Sequence, residues 1–320
     1  MRGIPSEVLE RQHGELNVTS STPNTNNLYD QTGGTTQVDG NLTTYVYDMG
    51  AGNTEVTNGG DLTTNTYDAA GGTTSIDHGG SLSTTTLYDQ TGSTAATTDA
   101  GTITTATYDM AGGTTTVEAG GKLNATTAYD QTGGTTDVDS TLTSPNVSVS
   151  GGTLKGMGTI QGDVSQTGGT LEPGDALGTL TVSGNVALSN TDFVEDIAGA
   201  AAGTDYSVLD VTGNLDFGAS DTLNPLDEMG FNPTNGETFD IINAASIAGT
   251  FANNDIAFDG GTFMVGYDSS GCAAGYSDCV VLTWNAAVSP APEPGSLFLL
   301  GISLLLGLGW ATRRRLQANA

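Results

Sequence analysis

Apolar positions recur along the first half of the chain with a period of about twenty residues. The dipeptide Tyr-Asp begins at positions 29, 47, 67, 88, 108 and 129, which are separated by steps of 18, 20, 21, 20 and 21 residues. Two further positions repeat with it, one nine residues after each tyrosine and one thirteen or fifteen residues after it. The resulting columns are Tyr29, Tyr47, Tyr67, Tyr88, Tyr108 and Tyr129; Val38, Val56, Ile76, Thr97, Val117 and Val138; and Leu42, Leu62, Leu82, Ile103, Leu123 and Leu142.

Each unit alternates short segments rich in threonine and valine with glycine-rich corners. The segment 42–47 alternates in polarity as a β-strand does, and Gly71 and Gly72 supply the positive torsions of a tight corner. A single coil cannot bury its own apolar side, whereas stacked coils share one core. The pattern therefore predicts an all-β parallel β-solenoid over residues 28–190, with coils of about 20 residues stacked about 4.8 Å apart and threonine ladders outside.

Larger apolar side chains replace the repeats after residue 190. Strand-like runs such as 206–211 and 279–284 are separated by Asn, Gly, Pro and Asp. We expect residues 191–285 to form a β-rich terminating module, because the last coil would otherwise present bare apolar side chains and unpaired backbone. Residues 1–27 carry no clear repeat, and we expect this segment to be poorly ordered.

One column of carboxylates follows the tyrosines. Because the tyrosines point inward, the aspartate after each one should point outward, where stacked carboxylates repel one another. Either they cap backbone N–H groups at a corner, or they share bound calcium ions. The candidates are Asp30, Asp48, Asp68, Asp89, Asp109 and Asp130. Their spacing differs from the nonapeptide calcium-binding repeat, so we predict no dedicated metal site and no cofactor, with calcium at this column as the alternative.

The charge balance excludes several functions. The formal net charge is -29, with only 7 Lys and Arg against 36 Asp and Glu. Such an anionic surface repels phosphate backbones, so we expect no nucleic-acid partner. Between residues 12 and 312 only Lys122 and Lys155 are basic. High Gly and low charge diversity are also typical of a disordered stalk, but the regular apolar spacing argues against that alternative.

The two cysteines, Cys272 and Cys279, lie in the predicted terminating module. Their spacing suits a short hairpin loop. A disulfide is expected if the chain is exported, and two free thiols are the alternative. Two cysteines without a nearby histidine do not complete a metal site.

The last thirty residues have the pattern of a membrane-sorting tail. A Pro-rich linker at 286–294 contains Pro292, Glu293 and Pro294, and the uncharged run 295–312 follows. Eighteen residues span about 27 Å as a helix, at the lower limit for a transmembrane segment. The positive-inside rule keeps the basic residues after it in the cytoplasm and places the body outside. Those residues begin the tail 313–320 and are Arg313, Arg314 and Arg315.

This order of Pro-Glu-Pro, marginal membrane helix and arginine cluster resembles the PEP-CTERM sorting signal of Gram-negative bacteria. The resemblance implies recognition by exosortase, a membrane protease, then removal of the tail and delivery to the cell surface or the extracellular polysaccharide matrix. The membrane helix is then a temporary anchor. Such a route also needs an entry signal, and residues 1–11 have no apolar core, so we expect a signal peptide upstream of the given start.

Residues 148–285 resemble the C-terminal part of autotransporter-like passenger domains. The matching segments include Gly169–Leu180, Tyr206–Gly213 and Gly236–Ile242, in that order. The resemblance implies a right-handed β-helix used for surface display.

The sequence therefore predicts an exported structural protein of the cell surface, biofilm or exopolysaccharide matrix, with polysaccharide or like chains as partners. A glycan-binding adhesin is the alternative. An enzyme of the polysaccharide-degrading β-helix class is less consistent, because a lyase needs basic residues and a glycosidase needs one pair of unlike carboxylates. The carboxylates here recur with the repeat, so we predict no catalytic residues.

Overall fold

A computed structural model describes residues 11–12, 15–18 and 28–287, and every regular element within these ranges is a β-strand. None of the described segments forms a helix of the length and apolar character needed to cross a bilayer. The predicted membrane helix at 295–312, the Pro-Glu-Pro motif and the arginine cluster lie outside the described residues. The all-β class is confirmed.

The strands are short and follow one another closely along the chain. They are β1 (Arg11–Gln12), β2 (Glu15–Val18), β3 (Leu28–Val38), β4 (Asn41–Thr43), β5 (Val46–Val56), β6 (Asp61–Ala69), β7 (Thr73–Ile76), β8 (Ser81–Gln90), β9 (Ala96–Asp99), β10 (Thr102–Met110), β11 (Thr114–Val117), β12 (Lys122–Gln131), β13 (Thr135–Val138), β14 (Thr141–Val149), β15 (Thr153–Gly156), β16 (Thr159–Gln166), β17 (Thr170–Pro173), β18 (Thr179–Ser183), β19 (Val186–Leu188), β20 (Asp192–Ile197), β21 (Val208–Phe217), β22 (Thr222–Asp227), β23 (Thr238–Ala248), β24 (Asp255–Phe258), β25 (Gly261–Asp268) and β26 (Asp278–Ala286).

Stacked parallel strands build a solenoid with three faces. Strands β6, β8, β10, β12, β14 and β16 pair in succession and bend once, so that their halves form two faces. Short strands β7, β9, β11, β13, β15 and β17 pair in succession on the third face. Tyrosine lies over tyrosine and leucine over leucine from coil to coil, which confirms the predicted parallel β-solenoid.

The tyrosine column forms a continuous stack in the core. From Tyr47 to Tyr129 the rings are fully buried, and neighbouring centroids from Tyr29 onward lie 4.5 to 5.1 Å apart. The strand spacing sets this distance, because each ring is carried by the next strand of a parallel sheet. The leucine and isoleucine column is also buried throughout.

The third column differs from the sequence prediction at one coil. Asp99, and not Thr97, pairs with Ile76 and Val117. Thr97 instead pairs with Thr74, in a buried threonine column. The corner before β9 is two residues longer than its neighbours. The residue nine positions after Tyr88 is therefore Thr97, whereas the residue in the valine and isoleucine column is Asp99, two positions later.

One threonine column lies in the core, which the sequence analysis did not predict for any of its members except Thr97. Each tyrosine hydroxyl is 2.6 to 2.8 Å from the hydroxyl of a threonine on the third face of its coil. A buried phenol needs a hydrogen-bond partner, and an inward threonine supplies one. These threonines are Thr36, Thr54, Thr74, Thr97, Thr115 and Thr136.

Parallel stacking continues beyond residue 190, the expected end of the repeats. Strand β21 stacks on β18 and β19, and β23 stacks on β21. The regular spacing is lost because these outer coils carry long insertions between strands. Antiparallel pairing then closes the stack, with β26 against β23 and β24 against β25. The compact body ends at Asn285.

Two short strands precede the first tyrosine. Strands β1 and β2 both pair in parallel with β3, with Val18 opposite Val38. They lie within the segment 1–27, for which the sequence predicted little order. The segment Glu15–Val18 thus adds a partial coil without the Tyr-Asp landmark that marks the others.

Candidate functional sites

The Tyr-Asp carboxylates form a ladder on the outer surface. Asp48 pairs with Asp30 and Asp68, and the register continues through Asp89 and Asp109 to Asp130. All six lie inside strands and not in the corners, where capping was expected, because the glycine corner begins about two residues later. All are partly buried.

The ladder is electrostatically strained at its centre. Partial burial raises the pKa of Asp48, and the neighbouring carboxylates of Asp68 and Asp30 raise it further. The pKa values of Asp68, Asp89 and Asp109 are raised by burial and then by the next aspartate along. One oxygen of Asp68 is buried and has no hydrogen-bond partner within the described part of the chain. The geometry allows cations to bridge the ladder but also allows proton uptake.

Asp99 is a fully buried carboxyl in an otherwise apolar column. Its Oδ1 accepts a hydrogen bond from the Gly101 backbone N–H at 3.0 Å, whereas its Oδ2 has no partner among the described residues. Burial raises the pKa of Asp99 to about 7, although backbone N–H groups oppose the shift. The side chain is therefore poised to be neutral in the folded protein below neutral pH.

A second acidic cluster was not found from the sequence. Asp137 on β13 and Asp139 just after it meet Asp175 from the β17–β18 loop, and a carboxylate oxygen of each lies within 4.8 Å of the others. Lys155 on β15 forms ion pairs with Asp137, at 3.5 Å, and with Asp175. The register that aligns Asp137 with Lys155 was predictable in principle, but the approach of Asp175 depends on a loop 38 residues away.

Two adjacent buried carboxyl groups lie on β20. Glu195 is fully buried, and neither of its carboxylate oxygens has a hydrogen-bond partner in the described segments. Burial raises the pKa of Glu195 well above its usual range, and the neighbouring Asp196 adds to the shift. Asp196 is 2% exposed, and burial followed by the charges of Glu172, Glu228 and Asp175 raises its pKa to about 7.

The two cysteines are joined in the terminating module. Cys279 lies on β26 and Cys272 in the preceding loop, and they form a disulfide with Cα atoms 5.5 Å apart. The bond closes the loop after β25. Disulfides persist in oxidising compartments, which include the periplasm and the cell surface.

The chain following the compact body carries the decisive comparison. Residues 290–315 match the PEP-CTERM protein-sorting motif. The matched range contains Pro292 to Pro294, the apolar run and Arg313 to Arg315, the three features that the sequence singled out. A comparison with curated proteins found no match to this chain. The match thus identifies the tail as a protein-sorting signal. The β-solenoid fold is the second feature that bears on function.

A shallow groove with a mainly apolar lining lies on the outer surface of the later coils. It measures about 380 Å³ and is lined by side chains that include Asn146, Asp163, Asn185 and Asp216. Asp163 accepts hydrogen bonds from the backbone and side chain of Asn185, so part of the lining is already ordered. Amide and carboxylate groups of this kind can bind sugar hydroxyls.

Proposed function

We propose that the chain is an exported structural protein of the bacterial cell surface or extracellular polysaccharide matrix, delivered there by exosortase. The observation that carries the proposal is the PEP-CTERM sorting motif at residues 290–315, immediately after the compact body that ends at Asn285. A repetitive β-solenoid in front of a sorting signal fits a protein that is displayed.

The body has features that suit life outside the cytoplasm. The Cys272–Cys279 disulfide is of the kind that oxidising compartments maintain. Stability rests on stacked side chains and strand pairing and not on ion pairs, since the chain has so few basic residues. High salt, which weakens surface ion pairs, should therefore remove little of the stability.

The proposed sorting step uses the tail as a temporary anchor. The run 295–312 enters the membrane, Arg313 to Arg315 stay on the cytoplasmic side, and the Pro-Glu-Pro segment stands at the outer surface. Exosortase then cleaves near this segment and releases the solenoid. We also propose that the body has no catalytic activity, because its most numerous aligned carboxylates, the Tyr-Asp ladder, repeat as part of the architecture.

A glycan-binding adhesin is the second candidate. The groove lined by Asn146 and Asn185 supports it, since amide and carboxylate side chains are among the residues that line this mainly apolar surface. A glycan array separates the two candidates. Selective binding that is lost on changing Asn146 to Ala favours the adhesin, and uniform weak binding favours a scaffold.

Cell fractionation tests the sorting proposal. Full-length protein should reach the surface or extracellular fraction, whereas a version lacking residues 292–320 should accumulate in another compartment. A double variant, Gln317→Ala with Asn319→Ala, lies beyond the matched residues and is the control, which should sort normally. The proposal fails if the truncated and full-length proteins reach the same compartment.

A further inference from the structure

The cluster of Asp137, Asp139 and Asp175 has the dimensions of a cation site. Its three carboxylate oxygens lie within 4.8 Å of one another. Calcium binds oxygen ligands at about 2.3–2.6 Å, so two oxygens on one ion can be at most about 5 Å apart. The three oxygens are therefore close enough for one ion to contact all three groups after small movements of their side chains.

One carboxylate oxygen of the cluster is buried and has no hydrogen-bond partner among the described residues. Asp137 is 9% exposed, and its Oδ1 has no hydrogen-bond partner in the part of the chain that the structure describes. Buried carboxylate oxygens without partners are costly unless a proton or cation satisfies them.

The local charge does not balance. Three carboxylates and the one ammonium group of Lys155 leave a net charge of −2 (−3 plus +1). Lys155 contacts Asp137 and Asp175. The side chain of Asp139 accepts a hydrogen bond from the Met157 backbone N–H at 3.4 Å.

We propose that Asp137, Asp139 and Asp175 bind one divalent cation beside Lys155. The donors are all oxygens, which favours calcium or magnesium over zinc. Calcium is preferred, because it accepts irregular geometry and Asp175 is exposed enough to leave room for water ligands, whereas magnesium requires near-ideal octahedral geometry.

The ion links two coils that are not adjacent. Asp137 belongs to β13 and Asp175 to the loop after β17, with β15 and its Lys155 between them. The bound cation thus closes the loop of residues 174–178 against the earlier coil. This binding does not depend on whether the chain is sorted by exosortase.

Calorimetric titration of the full-length protein with calcium chloride tests the site. The wild type should show one saturable site above the weak background expected of an acidic protein. Asp175→Asn should lower the calcium affinity by about tenfold or more, since it removes one of three charged ligands. Asn suits the left-handed backbone of this residue, whose φ is 45°, so the loop should be kept.

Two further variants make the result specific. Asp255→Asn removes an exposed carboxylate elsewhere and should leave the calcium affinity unchanged. Lys155→Met removes the competing positive charge and should raise the affinity for calcium. The proposal is overturned if the wild type shows no saturable site, if Asp175→Asn binds as wild type does, or if Lys155→Met abolishes binding in a folded protein.

Discussion

Inside the solenoid, polar side chains are paired with one another from coil to coil. Tyr47 donates a hydrogen bond to Gln31 Oε1 at 2.6 Å, and its hydroxyl lies 2.8 Å from that of Thr54. Gln31 in turn donates to the Asn53 backbone carbonyl at 2.8 Å. The core is therefore specified by hydrogen bonds as well as by volume, and the pattern of apolar positions alone does not reveal its polar members.

Asp99 makes stability depend on pH. Its folded pKa of about 7 lies above the ordinary value for aspartate, so the folded state holds the proton more tightly. Its contribution is fully present below about pH 4 and is lost as pH rises through about 7. Asp99→Val, which restores the Val and Ile column, should stabilise the protein at pH 8 by on the order of 2–4 kcal/mol and by much less at pH 4.

Denaturant unfolding at the two pH values measures this difference. Asp99→Asn keeps a hydrogen-bond acceptor without a charge and should also lose this part of the pH dependence. The prediction is contradicted if the free energy of unfolding of the wild type and of Asp99→Val changes with pH in the same way. That result would mean that ionising Asp99 costs the folded state nothing.

At the scale of the elements, stacked glycine corners set how closely the coils approach. Gly72 has φ of 79°, and a Cβ placed there would lie 2.3 Å from the Gly52 carbonyl oxygen. Gly59 has φ of 84°, yet a Cβ there would meet nothing within 4 Å. Both positions need a positive φ, but only at Gly72 would an added Cβ collide with the neighbouring coil.

A matched pair of substitutions separates these effects. Gly59→Ala should cost about 1–2 kcal/mol through its backbone torsion alone. Gly72→Ala should cost more than this, by on the order of several kcal/mol, because the backbone of the neighbouring coil must move to make room for the added methyl group. Thermal unfolding compares them, and equal losses at both sites would mean that the coil-to-coil contact is not limiting.

The sequence predicted the elements where the repeat is regular. The tyrosine and leucine columns follow from residue spacing alone, since each coil repeats the pattern of the coil before it. The sequence did not reveal the inward position of Asp99, because two extra residues in the preceding corner shift the repeat. It did not reveal the coils after residue 190, because insertions between their strands hide the period. The approach of Asp175 to Asp137 depends on loop geometry, which no periodicity encodes.

At the scale of the whole molecule, the folded body and the sorting tail have separate roles. The solenoid supplies a rigid body stabilised by stacking and closed by the antiparallel strands β24 to β26. The PEP-CTERM motif at 290–315 supplies the destination. If the tail enters the membrane as proposed, few basic residues of the body compete with the arginine cluster in setting the topology, because Lys122 and Lys155 are the only lysines or arginines between residues 12 and 312.

Top-down mass spectrometry of the protein recovered from the bacterial surface tests the central claim most directly. If exosortase processes the chain, the surface protein ends at or near Pro292–Pro294 and lacks the apolar run and the arginine cluster. Recovery of surface protein that still carries Arg313 to Arg315 would contradict the account.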